Sequence, residues 1–459
     1  MWLFGLILMG KQTVLAQTGS GWWLNANDSQ LTQYIEQGLA DAPDIHIATA
    51  RLRQAQTVSA QQVSGFLPSL TASWSSTTQP RDALGFGFGL SSASNVPGMP
   101  AAEESDETEL FTAATASIGL NLPVDLWGRA WTAYRATQAD ALASAHEQSA
   151  TELALSVSIA SAFYDWAMNS ENRRITEAQV ETAEGLLNVA VLQYDRGEGS
   201  ALDVLQQRQQ VAAARSQLPQ AQLSERTAEQ RLLVLMGRSP TDTLSEVSRL
   251  SVPDVQQAVS VTSEQFDGHP DVAAAQARVQ SADRRLTSSS RDFLPSFSVG
   301  GAVQRQLNYS SETEEWDDID NWNFTTGAQL TLFQGGRKLQ VYRQNQAGMV
   351  QAEQGLRQIE LRIQQDLENA IQNLAIQAAL QEAALAQYSA AEKAFQEARH
   401  QYEQGVVPVL TVLNTQNAYY QAQLLELQSR RSAFGAILQL VSAAGGQWAP
   451  QLESETGEP

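Results

Sequence analysis

The side chains best suited to chemistry are few and scattered along the chain. Its four histidines stand at 46, 146, 269 and 400, with no spacing that brings two of them to one metal ion. His146-Glu147 lacks the second histidine that a zinc-protease helix places one turn further on. Asp267 to Asp271 contains a His-Pro-Asp tripeptide, but the corresponding place in the first half reads Ala42-Pro43-Asp44, so both are read as helix-start turns. Carboxylates cluster as Glu103, Glu104, Asp106 and Glu107, and again as Glu312, Glu314, Glu315, Asp317, Asp318 and Asp320. Neither cluster has the spacing of a calcium loop, and both are expected to be solvated loops. Gly85 to Leu90 is glycine-rich but opens no helix, so it makes a flexible loop rather than a phosphate cradle. Nothing unites a nucleophile, a base and an orienting group. Neither catalysis nor a cofactor or metal is expected.

Composition narrows the classes further. The absence of cysteine excludes a disulfide scaffold, a thiolate metal site and a cysteine nucleophile. A net charge of −21 argues against nucleic acid, which needs a basic footprint. Residues 1–17 hold a short apolar run followed by small residues and an Ala-Gln junction, a signal-peptide-like segment, although Lys11 falls after the apolar run. No other window approaches the roughly 18 apolar residues of a membrane-spanning helix. If the chain enters a membrane, it does so with β-strands.

The elements that position these residues are written twice. Pro43-Asp44, Ala50-Arg51 and Phe66-Leu67-Pro68-Ser69 return as Pro270-Asp271, Ala277-Arg278 and Phe293-Leu294-Pro295-Ser296, each pair 227 residues apart. Gly128-Arg129, Gln193-Tyr194, Gly197, Val204-Leu205 and Gly237 return as Gly336-Arg337, Gln401-Tyr402, Gly405, Val412-Leu413 and Gly445, each 208 apart. The chain is a tandem duplication whose first copy carries an insertion between Pro68 and Gly128.

Within each copy a helical approach ends at a Leu-Pro pair, because the residue before proline disfavours the α region. Alternation follows: Leu70, Ala72 and Trp74 on one face, then Ile118, Leu120 and Leu122; in the second copy Phe297, Val299, Gly301 and Val303, then Ala328, Leu330 and Leu332. Each copy therefore predicts one hairpin of two strands about ten residues long, enough to cross a bilayer when tilted. The apolar face is mixed, with Gly and Ala among Trp, Leu, Phe and Val. From Arg129 to Arg196 there is no proline and one glycine, and from Arg337 to Gln404 no proline and two glycines. Apolar positions recur there at helical spacing, as in Leu155, Ile159, Ala162 and Trp166 or Ile363, Leu367, Ala370 and Leu374. Each run turns at a glycine, Gly197 or Gly405, and a second long helix returns: two long αα-hairpins.

Four amphipathic strands form a sheet with two open edges, which lipid does not tolerate. They can span a membrane only if several chains share one barrel. The duplicated plan and the turn sequences Gln193 to Pro219 and Gln401 to Trp448, with their Gly-x-x-Ser-x-Leu-Asp tip and closing Gly-Gly-x-Trp, resemble the TolC family of outer-membrane efflux channels, most closely its OprM/NodT-like branch. The resemblance implies a fold that is mostly α with β: a homotrimer with a twelve-stranded transmembrane β-barrel continuous with a periplasmic α-barrel. It implies an outer-membrane location with a large periplasmic portion, and partners in a periplasmic adaptor (membrane fusion) protein and an inner-membrane pump. The function expected on this basis is a passive conduit for export of small molecules such as drugs, with heavy-metal efflux, type I protein secretion, or a non-channel periplasmic coiled-coil scaffold as the alternatives.

On that plan the segments are 1–17, signal-like; 24–66, helical approach; 67–127, β-hairpin with extracellular loop; 128–238, helical hairpin; 239–292, linker and second approach; 293–335, second β-hairpin; 336–446, second helical hairpin; and 447–459, a flexible tail. Pro68 and Pro295 mark the helix-to-strand junctions. The tip turns Gly197, Glu198, Gly199, Gly405, Val406 and Val407 are, by resemblance, the adaptor-docking surface. Asp203 has two readings, an aperture carboxylate or the partner of Ser200 in a capping box. Leu410 is either an apolar constriction or a packed helix residue. Family members commonly place aspartates where this chain has Thr411 and Asn414, so a weakly charged gate is expected, and the lipidated cysteine common in the branch is absent.

Overall fold

The structure, a computed structural model, describes residues 21–26, 28–80, 110–245, 268–310 and 315–446. The signal-like segment, the glycine-rich stretch 85–90, the carboxylates Glu103 to Glu107, Glu312 and Glu314, and the tail 447–459 lie outside the described residues. Elements follow in the order α1 (Ser29–Asp41), α2 (Pro43–Val63), β1 (Ser69–Pro80), β2 (Leu110–Val124), α3 (Arg129–Asp195), α4 (Ala201–Leu235), α5 (Pro270–Arg291), β3 (Ser296–Ser310), β4 (Glu315–Gln329), α6 (Arg337–Glu403) and α7 (Val409–Ala443). The described residues are mostly α-helical with one four-stranded sheet. No described helix is long and apolar enough to cross a membrane.

The chain divides into two compact units. The first comprises Gln56–Gln138 and Gln280–Met349. It holds the sheet, antiparallel throughout in the order β1-β2-β3-β4, so β1 and β4 are open edges. Strands run to 12 residues in β1 and 15 in the other three, longer than the ten expected. Two expectations are corrected here. The stretch containing Glu315, Asp317, Asp318 and Asp320 is the start of β4 and not a loop, because β3 lies alongside it from Ser310↔Glu315 onward. Leu330 and Leu332 fall outside β4, because the last pair is Ser296↔Gln329 and no partner strand remains beyond it.

The second unit comprises Met1–Ala55, Ala139–Val279 and Val350–Pro459. Its largest core joins Leu31 and Ile35 of α1, Ile159 and Phe163 of α3, Leu232 and Leu233 of α4, Leu374 of α6 and Ile437 of α7. These are the helical-period positions of the sequence brought onto one side. Tyr164 stacks on Phe434 with ring centroids 3.3 Å apart, and Trp22 donates its indole N–H to Ser156 Oγ at 3.0 Å.

The duplication shows in the way each returning helix stops. α4 and α7 both end in glycines with positive φ, Gly237 at +77° and Gly445 at +67°. An added Cβ on Gly237 would lie 2.7 Å from the Asp41 carbonyl oxygen, and one on Gly445 would lie 3.0 Å from His269 Cα. Each helix thus closes against the start of its own copy's approach helix, α2 or α5. In the second copy His269 also accepts the Asp271 N–H on Nδ1 at 3.2 Å, capping α5 as an N-terminal acceptor does.

Candidate functional site: sheet faces and helical tips

Cross-strand register assembles the sheet's two faces. Leu70, Leu120, Gly301 and Phe324 form one row, and Ala72, Ile118, Val303 and Trp322 the next. Toward the junction end the same face continues with Leu122 and Val299, then Val124 and Phe297. Intervening residues face the other way: Thr71, Gly119, Ala302 and Asn323, then Ser73, Ser117, Gln304 and Asn321. Ser73 and Ser117 hydroxyls meet at 2.8 Å on that polar face. The mixture seen strand by strand resolves once the strands are side by side, since small residues on one strand neighbour large ones on the next. Trp322 is 80% exposed and Phe324 68%. Such area on one face of a sheet is an interaction surface rather than an unfinished core.

The apolar rows give way at one end to charge. Arg305, on the same face, pairs with Asp318 and lies 3.8 Å from Asp320. Beyond it Tyr309 and Trp316 approach with centroids 5.2 Å apart. At the other end lie the proline junctions. Leu67 is extended, as its place before Pro68 requires. The Pro295 carbonyl accepts the Trp127 indole N–H at 2.8 Å, and Trp127 packs beside Phe297. Asp125 caps α3 by accepting the Trp131 N–H at 2.8 Å. The corresponding residue of the second copy is Phe333, which can cap nothing.

The tips repeat one backbone solution. Gly197 (φ +78°) donates to Tyr194 O and Glu198 to Gln193 O; Gly405 (φ +73°) donates to Tyr402 O and Val406 to Gln401 O. Both are Schellman terminations, which need the left-handed conformation that glycine adopts without strain. The following helices start differently. In the first copy Ser200 and Asp203 make a reciprocal capping box, at 3.2 and 3.0 Å. In the second, Pro408 occupies the N-cap and offers no side-chain acceptor. Asp203 and Thr411 are half-buried, while Leu410 and Asn414 are exposed, as are Glu198 and Val406.

Sequence reasoning passed over the contact that joins the tips: Gln193 Nε2 donates to the Tyr402 carbonyl at 3.1 Å. Its only trace was the repeated Gln-Tyr pair. Tyr402 packs with Leu186, Phe395, Val409 and Val412, and burial, aided by the Asp203 carboxylate, raises its phenol above the ordinary value. The Gln207 side chain is fully buried, and its amide has no hydrogen-bond partner among the described residues. Among those residues no group of three or more histidines and carboxylates converges as metal ligands do.

A sheet with one apolar and one polar face, two free edges and strands of membrane-crossing length, in a chain otherwise made of long helical hairpins, defines the class of an outer-membrane channel subunit. The model of the outer membrane efflux protein family matches residues 34–238 and 262–446, and the chain belongs to that family. It is a TolC-family outer-membrane efflux component with a large periplasmic portion. The pyoverdine export outer membrane protein OpmQ of Pseudomonas aeruginosa is 26% identical over 434 residues, 93% of this chain and 87% of that protein. Its namesake in Pseudomonas putida is 27% identical, covering 95% and 89%. In fold the chain is similar to the outer membrane protein VceC of Vibrio cholerae, with TM-score 0.75, 20% identity and coverage of 93% and 98%.

Proposed function

We propose that three copies of this chain close a twelve-stranded barrel whose lumen continues into a periplasmic α-barrel, forming the passive outer-membrane conduit of a tripartite efflux system. The observation that carries this is the pairing of an apolar face with two unpaired edges: lipid accepts the face but not the edges. Four strands per chain reach closure when β1 of one copy pairs with β4 of the next. Pro68 and Pro295 then lie where helix gives way to barrel. The tip turns at Gly197 to Gly199 and Gly405 to Val407 dock onto a periplasmic adaptor, which links the conduit to an inner-membrane pump. Asp203, Leu410, Thr411 and Asn414 line the aperture, with Asp203 capping α4 as well. With neutral Thr411 and Asn414, that gate carries little charge. Small molecules are the cargo, a reading that the pyoverdine-exporting relatives support.

The absence of native cysteine makes the test clean. A cysteine is placed on β1 and another stepped along β4, and the purified protein is oxidised in detergent. Cross-linked products should stop at three chains, and the same preparation should conduct ions in a planar bilayer. Products confined to one chain, or a folded oligomer that never conducts, would end the proposal.

A further inference from the structure

The sheet-bearing unit is charged unevenly for a chain of net −21. Outside its strands, at the proline-junction end of the sheet, its described helices and turns carry eight Arg or Lys against three Asp. At the far end the strands carry Glu315, Asp317, Asp318 and Asp320 against the single cation Arg305. Some of the junction cations are committed internally: Arg291 donates to the Gly128 carbonyl at 2.7 Å, and Arg129 pairs with Asp292 at 3.3 Å. Arg337, Lys338 and Arg343 have no acidic partner among the described residues. Two of them crowd the first turn of α6, which holds no acidic residue, where the helix field disfavours cations.

At the same level the surface is also apolar. Leu332 is 89% exposed, Phe333 84% and Trp131 54%, and Trp127 joins this level to Phe297 on the sheet's apolar face. Cations interleaved with exposed aromatic and aliphatic side chains, continuous with a lipid-compatible face, match the chemistry of a headgroup layer. We propose that this belt binds anionic phospholipid of the leaflet on the periplasmic side, with Arg337, Lys338 and Arg343 facing the headgroup phosphates. The inference rests on the barrel reading above. An acidic protein would answer the charge but not the apolar residues beside it.

The test uses the full-length oligomer in nanodiscs of phosphatidylglycerol mixed with phosphatidylcholine, with retained lipid read by native mass spectrometry. Wild-type protein should retain phosphatidylglycerol preferentially. In the R337Q/K338Q/R343Q variant that preference should fall roughly fivefold for each cation removed, with oligomer size and conductance in pure phosphatidylcholine unchanged. Equal retention of the two lipids by wild type, or an undiminished preference in the variant, overturns the proposal. So does a change in ion selectivity without a change in retained lipid, which would put the cations on the conducting path. Failure to enter either bilayer removes the barrel reading, and the belt with it.

Discussion

Four of the eight positive-φ glycines among the described residues do two different jobs, and substitution separates them. At the tips, Gly197 and Gly405 have nothing within 4 Å of an added Cβ. Alanine there should cost only the left-handed backbone penalty, about 1 kcal/mol. At Gly237 the Cβ would also press on the Asp41 backbone, which cannot rotate away as a side chain could. Gly237→Ala should therefore destabilise by about 3 kcal/mol or more, so thermal unfolding in detergent should rank Gly237→Ala well below Gly197→Ala. His269, beside Gly445, brings a pH dependence that Ala42 in the first copy lacks. Burial pushes its imidazole below the ordinary value of 6.5, Arg362 adds to this, and Asp271, the Ser442 backbone and Asp366 oppose it. The neutral ring is the form that accepts the Asp271 N–H. With the folded value depressed, this stability is complete above about pH 6.5 and is lost as pH falls toward the folded value. His269→Asn keeps a capping side chain without the titration, so its unfolding midpoint should change less between pH 7.5 and pH 5 than that of wild type. An equal change in both proteins would remove His269 as the source.

At the scale of the strand, adjacent residues have opposite fates. Ile118 lies in the apolar row with Val303 and Trp322, and Ser117 lies on the polar face beside Ser73. Ile118→Arg should abolish the membrane-inserted oligomer, since a cation on the lipid face costs about 2–4 kcal/mol per chain near mid-bilayer. Ser117→Arg should assemble and shift the conductance toward anions. Heat-resistant oligomer on gels reads the first outcome and reversal potential the second; equal tolerance of both would mean that the faces are wrongly assigned. The helices and their turns were legible in advance because their causes are local: glycine at Gly197 and Gly405, proline at Pro68 and Pro295, and a 3.6-residue period between them. β4 was not. Asp317, Asp318 and Asp320 look like loop residues in one dimension. Arg305, on the neighbouring strand, answers two of them, and no pattern within β4 contains that partner. The reverse error at Leu330 and Leu332 has the same root: alternation makes a strand only where another strand lies alongside.

For the whole molecule, duplication supplies two copies of each part, and the two tips differ between the copies. The first tip closes with the Ser200 and Asp203 capping box and carries Glu198; the second has Pro408 and an apolar Val406-Val407 pair. A partner that docks on both meets one charged and one apolar turn, so the two should contribute unequally. Loss of a charged rim contact lowers association rate and salt sensitivity, whereas loss of a buried apolar contact speeds dissociation. In a native background without cysteine, Glu198→Cys and Val407→Cys carrying a photoactivatable cross-linker should both capture a periplasmic adaptor in cells. A cysteine at Trp316, at the far end of the sheet, should not. Glu198→Ala should weaken adaptor binding most at low salt, and Val407→Asp should weaken it at every salt concentration. Capture from Trp316 but not from either tip would reverse the direction assigned to the conduit. Identical salt responses of the two tip variants would mean that the partner treats the copies alike.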